Sequence, residues 1–264
     1  MPKLYILLAP LASMLLGCGS YDEYSSFQAE KCGKNYYDPE VQFCQNAKIY
    51  DKCGGHNYDV LYQKCENNKL FLKCGDEWYN PSYEYCASNN VEKKKEFTDS
   101  RDDKVYKYVS IGSQIWMAEN MQYKTSNTKC YDNNPSNCKI FGTLYDWNTA
   151  KNVCPPDWHL PNDDEWIKLR DYVGNNANKL KANDLLWEHG RGTDNFGFTA
   201  LPGGFYRGDR GGFNQKNIVA GFWSATAGSE TGSAHFRYLN NNSFGLDGFY
   251  INNSWANVRC IKDI

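Results

Sequence analysis

The sequence predicts an α+β fold, an irregular domain preceded by small disulfide-bridged β-hairpin repeats. Three observations predict it. Cysteines recur with a period of 21 residues, as Cys32, Cys53, Cys74 and as Cys44, Cys65, Cys86, which marks a repeated unit too short to build its own core. From Val105 a strand-like alternation gives way to helix signals over residues 143–153 and 162–174. Residues 190–260 are rich in Gly and Asn with only short apolar pieces, which reads as loop-heavy rather than as a repetitive sheet.

Composition narrows the function. The 264 residues fit one large or two small domains. A net charge of −2, with Lys93-Lys94-Lys95 as the longest basic run, gives no field to draw nucleic acid. Twenty Tyr and eight Trp must be buried or exposed for a reason. Eleven cysteines are too many for a reduced cytosolic protein and an odd number for a secreted one.

The odd cysteine is explained at the N-terminus. Lys3 precedes an apolar run from Leu4 to Leu16, too short for a ~30 Å hydrocarbon core but of signal-peptide length. Leu15-Leu16-Gly17-Cys18 resembles a bacterial lipobox. The resemblance implies a signal peptide over 1–17, lipidation of Cys18 as the first residue of the mature chain, and ten further cysteines, an even number. Residues 18–30 then form a polar linker. The partner implied is the membrane through the lipid anchor, and the expected location is the outer membrane, periplasmic or surface-facing.

Three repeats occupy residues 31–91. Each opens Lys-Cys-Gly (Lys31-Cys32-Gly33, Lys52-Cys53-Gly54, Lys73-Cys74-Gly75) and continues with Tyr37-Asp38, Tyr58-Asp59 or Tyr79-Asn80, turn chemistry between short extended stretches. Identical units should pair identically, either within units (Cys32–Cys44, Cys53–Cys65, Cys74–Cys86) or staggered (Cys44–Cys53, Cys65–Cys74). Staggering strands Cys32 and Cys86, so pairing within units is favoured. Tyr37, Tyr58, Trp78 and Tyr79 are candidates for stacking on sugar rings; the alternative is that each Tyr packs over its own disulfide. No Cys-x₂₋₄-Cys pairs point to zinc, and no metal or other cofactor is expected. Residues 92–100, with Glu92-Lys93-Lys94-Lys95-Glu96, read as a solvated linker.

The remaining domain, 101–264, opens with an alternating strand, Val105 to Ile111, a Gly112-Ser113 turn and a second strand from Gln114. Thr143 to Val153 reads as a helix, and Asn162-Asp163-Asp164-Glu165 as a capping box starting another that Gly174 stops. Trp116-Met117-Ala118-Glu119-Asn120, Gly142-Thr143-Leu144-Tyr145-Asp146-Trp147, Cys154-Pro155-Pro156-Asp157-Trp158-His159-Leu160-Pro161, Gly197-Phe198-Thr199-Ala200-Leu201-Pro202-Gly203-Gly204, Phe222-Trp223-Ser224 and Val258-Arg259-Cys260 follow in order. This run resembles the Fibrobacter succinogenes major paralogous domain, over about residues 99–264. That family is similar in turn to the fold of C-type lectins and formylglycine-generating enzymes, so a C-type lectin-like domain is implied. No established catalytic residues come with it. Cys130 and Cys138 bracket a turn-rich loop suited to a local bridge, and Cys154 and Cys260 are then left to pair, tying the chain end to the middle as lectin-like folds do.

Few residues speak for catalysis. His56, His159, His189 and His235 form no metal-type pair, and His159 sits in a structural motif. Walker, HExxH and Gly-x-Ser-x-Gly motifs are absent. Formylglycine-generating enzymes use reactive cysteines, whereas each mature cysteine here has a structural partner. Arg207-Gly208-Asp209 spells an adhesion tripeptide and is read as chance. The expectation is a non-catalytic binding or adhesion module of the cell envelope, for plant-type polysaccharide or envelope protein partners. The alternatives are an enzyme of unknown type on a formylglycine-generating-like fold and a structural envelope protein.

Overall fold

The computed structural model describes residues 29–55, 57–61, 63–188, 190–240, 243–250 and 253–263. The expected signal peptide, Cys18, His56 and His189 lie outside the described residues. Among the described residues the fold is mostly β-sheet with three α-helices, less helical than expected. Packing divides the chain into two compact units between Leu72 and Lys73.

The first unit holds two repeats. Each closes on a hairpin, Gln42–Gln45 with Lys48–Asp51 and Gln63–Glu66 with Lys69–Cys74. The two-residue turns Asn46-Ala47 and Asn67-Asn68 have positive φ at both positions, the primed geometry that matches strand twist and that Asn tolerates best. The glycine after each first cysteine also has positive φ, and a Cβ on Gly33 or Gly54 would stand 3.2 Å from a carbonyl of the unit's own turn. That close approach explains the invariant Lys-Cys-Gly opening. Disulfides run within units, Cys32–Cys44 and Cys53–Cys65, each across 12 residues. Gln45 joins the two units, donating to Asp59 Oδ1 at 3.0 Å and accepting from Val60 N at 3.3 Å.

The second unit begins with the third repeat. Its hairpin, Glu84–Ala87 with Asn90–Lys93, turns on Ser88-Asn89, and Cys74–Cys86 is its bridge. The stretch 92–100 is not the solvated linker expected. Lys95–Asp99 pairs along its whole length with Lys104–Ile111, and Lys94 and Asp99 are buried. The run looked solvated because its lysines and glutamates alternate with inward positions that themselves carry polar groups. Asp99 meets a fork from Arg101 Nε and Nη2 at 2.8 and 2.7 Å, which outweighs burial and leaves its carboxyl below the usual range.

Two sheets frame the domain. The first orders Lys95–Asp99, Lys104–Ile111, Gln114–Met117, Ile261–Lys262 and Trp158–His159, antiparallel throughout. The second has eight strands and places Ser254–Asn257 beside Leu144–Tyr145 on one edge and Ala220–Ala227 on the other. Ala220–Ala227, Ser233–Leu239 and Phe244–Tyr250 form an antiparallel meander where loop-heavy structure was expected. Its glycines misled: Gly221 and Gly245 sit inside strands because Phe236 and Tyr238 of the central strand lie across them, within 2.2 Å of where a Cβ would be.

Three helices connect these strands. α1 is Pro135–Phe141, capped by Asn134. α2 is only Trp147–Ala150, shorter than the helix expected over 143–153. Asp146 caps it, accepting from Asn148 N and Thr149 N, while Leu144–Tyr145 is already committed to the sheet. α3, Asp163–Tyr172, has the capping box of Asn162 and Glu165, and Gly174 follows its end with positive φ.

The aromatic residues are chiefly core. Trp116, Trp166, Phe198 and Phe222 pack in one cluster and Tyr106, Tyr145, Trp223 and Phe236 in another. Two indole N–H groups are tied at fixed places: Trp223 Nε1 donates to Tyr145 O at 2.7 Å and Trp147 Nε1 to Ser224 O at 2.8 Å. Cys154–Cys260 spans 106 residues and Cys130–Cys138 spans 8.

Loop entropy ranks these bridges. Cys154→Ala/Cys260→Ala should cost about 4–5 kcal/mol of unfolding free energy and Cys74→Ala/Cys86→Ala about 3 kcal/mol, read from urea unfolding of the oxidised proteins. The reverse order would show that strain or contacts, not loop length, set their worth.

Candidate functional site

Two concave sites stand out, one in each unit. In the first unit a groove of about 890 Å³ is lined by Tyr36, Tyr50 and Tyr58 with Gln42, Asp51 and Asn68 among its polar groups. Phe43, buried behind it, stacks on Tyr50 at 5.6 Å and meets Tyr58 edge-on at 5.3 Å. The ring orientations are therefore set by the repeat core, and flat apolar faces alternate with amide and carboxylate groups.

The aromatic candidates part company here. Tyr58 lines the groove. Tyr37 does not; its hydroxyl donates to Glu30 Oε2 at 2.6 Å, and its neighbour Tyr36, 44% exposed, takes the place in the groove. Trp78 is exposed on the second unit, whereas Tyr79 is 2% exposed and presents no face to a ligand. The strand Glu77–Tyr79 alternates sides, so only one of two adjacent aromatics can face out. Burial also raises the Tyr79 pKa, with Asp194 adding to it.

The second site is a cleft of about 380 Å³ whose walls include Tyr83 of the third repeat and Lys94, Lys107, Glu119, Lys139 and Arg259. Its base is built by a repeat rule that reaches one residue further than the cysteines. Lys94 follows Lys31, Lys52 and Lys73 at the same 21-residue period. Lys52 donates its backbone N–H to Val41 O at 2.8 Å and its Nζ to Pro39 O at 2.6 Å. Lys94 repeats this on the third unit, to Tyr83 O and Pro81 O, both at 2.8 Å. The lysine after each Pro-containing unit thus closes that unit's turn. In Lys94 the ammonium also donates to Thr199 Oγ1 at 2.7 Å, and Thr199 Oγ1 and N donate to the two oxygens of Asp194 at 2.7 Å.

Asp194 is buried, and burial raises its pKa to about 6 against the pull of Lys94, Thr199 and Arg259. Desolvation lowers Lys94, against the opposing pull of Asp194 and Glu119. Beside them Arg259, 1% exposed, donates Nε and Nη2 to Asn120 Oδ1 at 2.9 and 2.6 Å, and Nη1 to Met117 O at 3.2 Å and to Phe198 O. Desolvation brings its pKa down to about 9, and it stays charged at neutral pH. Asn120 Nδ2 passes the network to Phe141 O at 2.8 Å. Gly142 is required there, since a Cβ would stand 2.5 Å from Asn120 Cβ.

Other singled-out residues are structural. His159 bridges Glu165 Oε1, at 2.8 Å, and Asp263, tying the start of α3 to the chain end. His235 and Arg237 both bind Asp163, at 2.8 Å and at 2.7 and 2.9 Å. Burial pushes that carboxyl up and the Arg237 fork, with His235, brings it below the usual range. Arg207 is 5% exposed and folds onto Asp209, so the tripeptide is closed on itself. Among the described residues no group of three or more His, Cys, Asp or Glu is placed to hold a metal. Lys94, Arg259 and Asn120 were missed as site residues; the lysine period was the available signal for Lys94, and nothing local marked the others.

The buried carboxyl gives a signed pH dependence. Because Asp194 is raised, the stability it contributes is full below about pH 4 and is lost as pH rises through about 6. Asp194→Asn removes this, so the stability difference between wild type and variant should shrink by about 2 kcal/mol from pH 4 to pH 7, in urea unfolding. A difference constant across that range would rule out a raised carboxyl.

No curated protein and no solved structure shows significant similarity to the chain. The family model of the Fibrobacter succinogenes major domain matches residues 109–262, more than half of the sequence and most of the second unit, with Glu119, Asn120, Asp194, Thr199 and Arg259 inside it. The chain belongs to the Fibrobacter succinogenes major domain family.

Proposed function

We propose that the protein is a lipid-anchored component of the cell envelope that acts by non-catalytic binding, with plant-type polysaccharide as its ligand and the lectin-like scaffold implied by the family as its frame. The observation that carries the reading is the tyrosine groove of the first unit. Three tyrosine rings beside amide and carboxylate groups suit a sugar chain, whose ring faces are apolar and whose edges are hydroxylated. The five disulfides among the described residues suit an oxidising compartment outside the cytosol. They also occupy the thiols that oxidase chemistry would use. The lipobox-like Leu15-Leu16-Gly17-Cys18 supplies the anchor, and acyl chains at ~0.8 kcal/mol per buried CH₂ hold it. The Cys154–Cys260 bridge supports the lectin-like frame by tying the chain end to the middle.

Retention on insoluble cellulose and xylan tests the ligand. Wild type should be retained, and Tyr36→Ala/Tyr58→Ala should weaken retention roughly tenfold, the loss of two stacking contacts of about 0.5–1.5 kcal/mol each. Retention no greater than that of a control protein overturns the polysaccharide reading. Cys18→Ala should release the protein from the membrane fraction of its host, and unchanged membrane association and processing would sink the anchor.

A further inference from the structure

The cleft of the second unit has a charge imbalance that its own residues do not resolve. Lys94, Lys107, Lys139 and Arg259 line it, and Glu119 is the carboxylate among its walls. Asp194, behind Thr199, is the second anion in reach. Among the described residues four cations thus face two carboxylates. Lys107 meets Glu119 at 3.7 Å, and Asp194 answers Lys94 through Thr199. Arg259 feels Glu119 and Asp194 only at a distance, and its hydrogen bonds all go to neutral acceptors, the Asn120 amide and two backbone carbonyls. Those bonds use four of its five N–H donors. A charge this deeply buried is normally met by an opposite one, because removing it from water costs several kcal/mol. The Lys139 ammonium stands at the rim on the last turn of α1.

The rim adds an aromatic platform. Tyr83 is 54% exposed, and Lys107 Nζ lies 4.9 Å from its ring centre. A space of about 380 Å³ suits one or two sugar rings rather than a long chain. Ser82, Asn120 and Gln122 bring hydroxyl and amide groups to the walls.

From this we propose that the cleft is a binding site for a small anionic saccharide, a sugar ring bearing a carboxylate. The carboxylate is held by Lys139 and the field of Arg259, with Lys107 shared between it and Glu119, and the sugar ring lies against Tyr83. The site is distinct from the tyrosine groove in residues and in ligand charge, and it stands whether or not the protein binds plant-type polysaccharide.

Calorimetric titration of the full mature, disulfide-bonded protein with galacturonate and its dimer, at low and high salt, tests it. Binding of the uronate, weakened by salt, is expected, with galactose binding at least tenfold more weakly. Lys139→Ala and Tyr83→Ala, both at exposed positions, should each reduce uronate affinity about five- to tenfold with unchanged unfolding curves. Tyr36→Ala/Tyr58→Ala should leave it unchanged, which separates this site from the groove. The proposal is overturned if the uronate does not bind, if galactose or inorganic phosphate binds as tightly, or if neither Lys139→Ala nor Tyr83→Ala weakens it.

Discussion

The second unit depends on one buried guanidinium. Arg259 sits beside the Cys154–Cys260 bridge and holds three segments at once: the strand end at Met117, the turn at Asn120 and the loop at Phe198. Its face lies over the rings of Phe198 and Phe222, at 4.5 and 5.5 Å, so it is stacked as well as hydrogen-bonded. Removing it would leave the Asn120 amide and two carbonyls without donors in the interior, a larger penalty than any single bond is worth. The terminal Val258-Arg259-Cys260 run is thus the point where the end of the chain locks the middle.

The repeats solve a different problem. Twenty-one residues bury too little apolar surface to stand alone, and each unit substitutes covalent and polar restraints. A disulfide fixes the ends of the hairpin, a primed turn fixes its register, and in the Pro-containing units the lysine that follows closes the Asx-Pro turn. In the third unit that lysine is Lys94, and its ammonium reaches beyond the repeat to Thr199. The same side chain that ends a repeat therefore becomes part of the domain, and the break in packing falls before Lys73 rather than after residue 91.

This arrangement recasts the family's motifs. Asp146 caps α2, Trp223 ties to Tyr145, Gln114 Nε2 donates to Glu165 O at 3.1 Å, and Glu165 completes a capping box. These are fold-defining contacts. Of the cleft residues, Glu119, Asn120, Thr199 and Arg259 belong to the same run of motifs, whereas Lys107 and Lys139 do not, so the motifs present one of the four cations. Tyr83 and Lys94 come from the repeat, outside the matched span of 109–262.

The sequence by itself determined what is periodic or local. The 21-residue spacing marks the repeats, and Asn162 with Glu165 the start of α3, because each is set by a local or strictly periodic pattern. Tertiary structure decided the rest. Leu144-Tyr145 became strand because Ser254–Asn257 lies beside it, and the Gly- and Asn-rich stretch became a meander because aromatic rings from the neighbouring strand fill the space over Gly221 and Gly245. Tyr79 was lost as a ligand surface by the side of the strand it occupies. The cleft was invisible for the same reason: Lys94, Asn120, Asp194 and Arg259 are far apart in the chain. Their charge balance has meaning only once burial has removed the water that would otherwise screen it.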